Sequence, residues 1–211
     1  MRVSEAHRVL FVHVPKTGGS TLDAMIDREV ADARKVKGRT RHDGLASLLE
    51  AEPSLADYWS CGFVRNPWSR MVSWWAMANR FADDLEAGGT RQRKKISHVP
   101  HIWTPLVRYS GTFDTFVMEG TQRVARLAVP QISLLTAGDR RVDFVGRIEN
   151  FVPDTNVLRE KLGLAPVDGL PQRNPSTHGH YSQYYSDRTR ERVAEVFAAD
   201  IDAFGYTFEA R

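Results

Sequence analysis

Hydrophobic positions along the chain alternate between short continuous runs and stripes at helical spacing. Arg8–Val14, rich in Val, Leu and Phe, predicts a buried strand that ends at Pro15. Behind the Gly18-Gly19 pair, Leu22, Met25, Ile26 and Val30 fall at i, i+3, i+4 and i+8, one apolar face of a helix. A second helix is expected after Asp43 as N-cap, with Leu45, Leu48 and Leu49 on one side. Tyr58–Val64 predicts another buried strand, and Asn66 stands where it caps a helix whose first position is Pro67. Val142–Val145 predicts a further strand, followed by a helix from about Pro153 that stops at Gly163. A last long helix starts near Ser186 or Asp187 and turns Val193, Val196, Phe197 and Ile201 inward. Strands alternating with helices predict an α/β fold, a parallel β-sheet flanked by helices. Ligands of such folds sit beyond the carboxyl ends of the strands.

Composition narrows this picture. A chain of 211 residues, 42% hydrophobic, suits one domain with a sizeable core, so residues 1–211 are expected to form a single domain. The stretch at about 81–112 shows no clear period and reads as a variable elaboration, a candidate acceptor-binding region. The net charge of +3 and pI near 9.1 are compatible with an anionic ligand and fall far short of a nucleic-acid binder. No apolar run is long enough for an integral membrane segment, and Met1–His7 is too polar for a secretory signal. The single cysteine, Cys61, excludes an internal disulfide and lies in an apolar run, as a small buried residue does. Cytoplasm is the expected compartment. No set of His, Cys, Asp or Glu has metal-ligand spacing, and nothing sets an oligomeric state.

The chemistry concentrates between the expected strands and helices. In Pro15-Lys16-Thr17-Gly18-Gly19-Ser20-Thr21, two glycines allow close backbone approach and the following helix presents its N–H groups and positive dipole end. Lys16 adds a full charge; Ser20 and Thr21 add hydroxyls. A nucleoside triphosphate loop would place its lysine after the glycines and a further glycine where Val14 stands, so the order is wrong for ATP. A Gly-rich turn with an exposed lysine is the plainer alternative. Arg65, at the end of the second long strand, offers a planar fork for phosphate oxygens, and Ser73 follows two helical turns later.

His13 through Thr21 resembles the 5′-phosphosulfate loop of sulfotransferases that use 3′-phosphoadenosine 5′-phosphosulfate (PAPS). It is most similar to the carbohydrate branch that includes heparan sulfate 2-O-sulfotransferase, as a soluble bacterial-type member. The resemblance implies a P-loop, nucleotide-kinase-like fold with PAPS as donor, 3′,5′-adenosine bisphosphate as product and no metal requirement. It implies that Lys16 meets the phosphosulfate and assists the leaving group, with Thr17, Gly18, Gly19, Ser20 and Thr21 around it. Arg65-Asn66-Pro67-Trp68-Ser69-Arg70-Met71-Val72-Ser73 resembles the 3′-phosphate motif, including the eight-residue interval from Arg65 to Ser73. Arg70 belongs to that motif or serves as a structural ion-pairing residue. Met71, Val72, Trp74 and Trp75 read as core packing.

Transfer to a hydroxyl needs a proton acceptor, and neutral histidine suits that task near pH 7. His42 is the best of seven histidines: it stands at the entry to the second helix, within a segment, Arg41–Leu45, resembling the region of the family's base. A surface or capping histidine is the alternative. His13 reads as a packing or hydrogen-bonding residue, and His98 and His101 lie in the variable middle beside the cationic run Arg91–Lys95. That run either attracts an acidic acceptor or is simply solvated. Phe144–Asn150 resembles a further family segment, in which Arg147 and Glu149 hold each other or touch ligand. Arg173 and Ser176 fall in a late polar loop that closes over the nucleotide in related sulfotransferases, and count as candidate donor contacts on that ground. The expected activity is direct sulfuryl transfer to a small-molecule or glycan hydroxyl. A nucleotide-dependent small-molecule kinase and a non-catalytic nucleotide-binding protein are the rivals.

Overall fold

The computed structural model describes residues 1–170 and 179–210. In chain order it contains β1 (Arg2–Ser4), β2 (Val9–Val12), α1 (Gly19–Glu29), α2 (Leu45–Ala51) and β3 (Trp59–Val64). Then come α3 (Pro67–Glu86), α4 (Thr90–His98), α5 (Pro100–Arg108), β4 (Phe144–Arg147), α6 (Phe151–Lys161), α7 (Asp187–Val196) and α8 (Ala198–Phe204). Short helical turns and a two-residue ribbon, Thr136–Ala137 against Arg140–Arg141, connect them. The chain divides into two compact units. The first takes the chain up to Arg65 and resumes at Gln131; the second begins with Asn66–Pro130 and resumes with the carboxyl-terminal segment.

The first unit holds the sheet, in the order β1-β2-β3-β4. β1 runs antiparallel to β2, whereas β2–β3 and β3–β4 are parallel, with Val12 opposite Gly62 and Val64 opposite Arg147. The architecture is therefore mixed α/β with helices flanking a largely parallel sheet. β2 reads Val-Leu-Phe-Val and is buried throughout, as expected of a strand covered on both faces. Leu22, Met25 and Ile26 of α1 and Leu158 of α6 pack with Phe11, Cys61 and Phe63 in one core cluster. Each such side chain contributes about 1.5–3 kcal/mol on burial. Burial pushes the Cys61 thiol well above its usual range and leaves it a packing residue. Because the strands are parallel, the residues that follow β2 and β3, His13 and Arg65, emerge at one edge together with Arg147.

The second unit is built on α3. Asn66 caps it as expected, its side-chain oxygen accepting from Trp68 N–H at 3.1 Å and Ser69 N–H at 3.4 Å, with Pro67 at the first position. Met71, Val72 and Trp74 are buried. Trp75, Phe113, Tyr184 and Tyr185 form an edge-to-face aromatic cluster, with ring centroids 4.8–6.0 Å apart for the contacting pairs. The stretch at 81–112 is helical: α3 runs on through Phe81, whose ring stacks on Trp103 of α5 at 4.3 Å. Its period was hidden because α4, Thr90–His98, carries one aliphatic residue among nine.

Boundaries differ elsewhere for local reasons. β2 is shorter than Arg8–Val14, since Arg8 takes φ +51° before it and the loop to α1 begins after Val12. Asp43 does not cap α2. Gly44 holds that position, and the Asp43 carboxylate accepts from Thr40 N–H at 3.2 Å and from its hydroxyl. The last helix is two: Ser186 starts α7 with a capping box to Thr189, and the chain breaks at Phe197 before α8. Val193 and Phe197 are buried as expected, Val196 and Ile201 only half so.

Candidate functional site

The loop from His13 to Gly18 joins β2 to α1. Gly18 caps α1 at φ +80°, in the left-handed region, and a Cβ there would stand 2.7 Å from Ile148 Cδ1 and 2.8 Å from Phe151 Cε2. A Cβ on Gly19 would overlap the His13 ring. Gly18 is thus required by packing and by turn geometry, and Gly19 by packing against His13. Lys16 adopts φ +71°, which costs about 1–2 kcal/mol for a residue with a side chain. Strain of this kind persists where surrounding structure holds it, typically at functional loops. Thr17 is buried and its hydroxyl donates to Val14 O at 2.9 Å, so it staples the loop and leaves ligand contact to the main chain. Ser20 is half-buried on the first turn of α1; Thr21 is buried, its N–H bonded to Gly18 O at 2.9 Å.

A buried polar network sits behind this loop. His13 Nδ1 lies 3.0 Å from Asp23 Oδ2, and both residues are buried. Burial holds the His13 pKa down at about 4 despite the pull of Asp23, so at neutral pH this is a hydrogen bond donated by a neutral ring. Burial pushes the Asp23 carboxyl up, but the His13 N–H and the charges of the Met1 amino group and Arg41 outweigh it and hold it at about 2. Arg41 Nε donates to the same Oδ2 at 2.8 Å, and its Nη2 donates to Ser20 Oγ at 2.9 Å. Nε also stands 3.1 Å from His13 Nδ1, two donors converging on one carboxylate oxygen.

His42 is drawn into this network. Its Nδ1 lies 3.1 Å from the carbonyl oxygen of His13, and the two rings meet edge to face at 4.6 Å. A carbonyl only accepts, so Nδ1 carries the proton and the neutral ring has its lone pair on Nε2. The candidate base is therefore tied by a hydrogen bond to His13, the residue that opens the glycine-rich loop.

The depressed His13 pKa makes stability pH-dependent. The unfolded chain binds a proton near pH 6.5 and the folded chain only near 4, so the stabilisation is complete above 6.5 and lost as pH falls toward 4. Denaturant titrations are expected to show roughly 3 kcal/mol less stability from this group at pH 4 than at pH 7. His13→Gln should remove that component of the pH slope; an unchanged slope would mean that another group carries it.

At the neighbouring strand end, the side chain of Gln131, fully buried, clamps the backbone of Arg65. It accepts from Arg65 N–H at 2.9 Å and donates to Arg65 O at 2.8 Å. Gln131→Leu would remove both of these hydrogen bonds, and a loss of about 1–3 kcal/mol is expected in thermal or chemical unfolding. Ser73 is buried on α3 in the second unit. Arg70 is buried, donates to Val129 O at 3.2 Å, lies over the Phe197 ring and feels the charge of Asp200. Burial lowers its pKa to about 10. Arg147 N–H bonds to Asp154 at 2.6 Å, which also holds Asn150. Arg173 and Ser176 lie outside the described residues.

Asp23, Arg41 and Gln131 have no role in the sequence reading. Asp23 left a trace, because it stands three residues before Ile26 and seven before Val30, a carboxylate on the apolar stripe of α1. Gln131 left none. Among the described residues no group of three or more His, Cys, Asp or Glu could hold a metal ion, and no helix is long and apolar enough to cross a membrane.

A strand, a strained loop carrying Lys16 and a glycine-capped helix at the carboxyl edge of the parallel strands belong to an α/β protein of the kind that places ligands at this edge. A family model described as "Sulfotransferase family" matches residues 1–207, a span that takes in both units. The chain belongs to the sulfotransferase family, and sulfuryl transfer is its class of reaction. No curated protein and no solved structure matches it.

Proposed function

We propose that residues 1–207 work as one domain of the nucleotide-kinase-like sulfotransferase fold, moving a sulfuryl group from PAPS directly to an acceptor hydroxyl. The observation that supports this reading is the hydrogen bond from His42 Nδ1 to the carbonyl of His13, which holds the imidazole beside the loop proposed to bind the donor. The donor set fits PAPS: a glycine-led helix N-terminus, Lys16 and the Ser20 hydroxyl for the 5′-phosphosulfate. The amides of Thr17, Gly18 and Gly19 and the first turn at Thr21 complete that cradle. Assignment of Arg65 and Ser73 to the 3′-phosphate rests on the interval between them in the sequence. Arg173 and Ser176 are kept as donor contacts on the family resemblance.

When bound, PAPS supplies a sulfuryl group whose departure leaves 3′,5′-adenosine bisphosphate. His42 Nε2 accepts the hydroxyl proton as the acceptor oxygen bonds to sulfur. Lys16 stabilises the charge that develops on the phosphate oxygen as the sulfur–oxygen bond breaks. No covalent enzyme intermediate and no metal enter the scheme. A carbohydrate acceptor is favoured by the resemblance of the loop to the heparan sulfate 2-O-sulfotransferase branch.

Calorimetric titration with 3′,5′-adenosine bisphosphate, against ADP with magnesium, tests the donor. Tight binding of the bisphosphate that is weakened in Arg65→Ala is expected. Preference for magnesium-ADP would replace this reading with a kinase.

A further inference from the structure

We infer that Arg41 is an additional ligand for the 5′-phosphosulfate end of the donor, with the buried Asp23 as its anchor; the inference rests on the donor reading above. Arg41 reaches α1 from a separate segment and uses two of its five N–H groups there, one on Asp23 Oδ2 and one on Ser20 Oγ. The remaining N–H groups, both on Nη1 and one on Nη2, take no protein acceptor among the described residues. The Arg41 side chain is 44% exposed, whereas that of Asp23 is 7% exposed. The guanidinium is therefore held from inside by one edge and presents the other outward.

Its place is the wrong one for a purely structural cation. The first turn of a helix carries the positive end of the dipole, which disfavours a nearby positive charge. Lys16 adds another positive charge two residues before Gly18, in the same loop. Asp23 offsets Arg41 from the buried side only. An anion at the loop would satisfy the outward edge of the guanidinium and the helix N–H groups together. Ser20 completes the device. Its hydroxyl oxygen accepts from Arg41, which leaves its own proton to donate to the same anion. Anchoring at Nε also fixes the plane of the fork before a ligand arrives, and lysine could not reproduce this.

The test is calorimetric, on the full chain, with two nucleotides: 3′,5′-adenosine bisphosphate and adenosine 3′-monophosphate, which lacks the 5′ anion. Arg41→Gln is expected to weaken the bisphosphate by about 10- to 100-fold, as for loss of a charged hydrogen bond, and to leave the monophosphate unchanged. Arg41→Lys should fall between, and Asp23→Asn should weaken the bisphosphate selectively because the fork is no longer held. Bisphosphate binding by Arg41→Gln equal to that of the wild type would overturn the inference. So would equal weakening of both nucleotides, which would mark Arg41 as a structural residue. Failure of the wild-type protein to bind either nucleotide would instead bring down the donor reading, and this inference with it.

Discussion

Lys16→Gly is expected to lower turnover by about 10²–10³ while leaving the folded protein as stable as the wild type or slightly more so. The two halves of this outcome have separate causes. Lys16 holds φ +71°, a conformation that costs a residue with a side chain about 1–2 kcal/mol and glycine nothing. Glycine gives back about 0.4–1 kcal/mol through the freedom of the unfolded chain, so the net change is small and favourable. In the proposed reaction, loss of the ammonium removes the charge that would stabilise the departing phosphate oxygen, and the effect should fall on kcat. Steady-state kinetics and thermal unfolding of the same variant decide the matter. Turnover within a few-fold of wild type would remove Lys16 from the chemistry. A marked loss of stability would mean that its conformation is held for packing.

The second large effect is expected at His42. His42→Gln should reduce kcat by about 10²–10⁴ with bisphosphate affinity unchanged, because in the proposed reaction the residue meets the acceptor proton and not the donor. Geometry supports the choice of nitrogen: Nδ1 is committed to the His13 carbonyl, leaving Nε2 as the basic atom. A variant that keeps wild-type turnover would move the base elsewhere without disturbing membership of the sulfotransferase family.

The parts legible in the sequence are those that a local signal fixes. Val9–Val12 is a run too short and too apolar for anything but a buried strand, and Asn66-Pro67 announces a helix start with its own cap. The glycines at 18 and 19 mark a turn, and the structure gives the reason in the His13, Ile148 and Phe151 side chains packed against them. What could not be read depends on partners distant in the chain. Gln131 holds Arg65 from 66 residues away, and nothing in Pro130-Gln131-Ile132 points to it. Asp23 and Arg41 are 18 residues apart and meet only once α1 and the 41–42 segment are folded. Asp43 misled because a carboxylate before an apolar run looks like an N-cap, while in the fold the nearer Thr40 hydroxyl and amide claim it. The α4–α5 region hid α4 because only one of that helix's nine residues is aliphatic.

The most direct test of sulfuryl transfer is release of 3′,5′-adenosine bisphosphate from PAPS in the presence of sugar, phenol and lipid hydroxyls, measured without magnesium. The expected result is release stimulated by at least one acceptor class, matched by sulfate gained on that acceptor and abolished in Lys16→Ala. No release with any acceptor, while ATP and magnesium are consumed with the same hydroxyls, would contradict it.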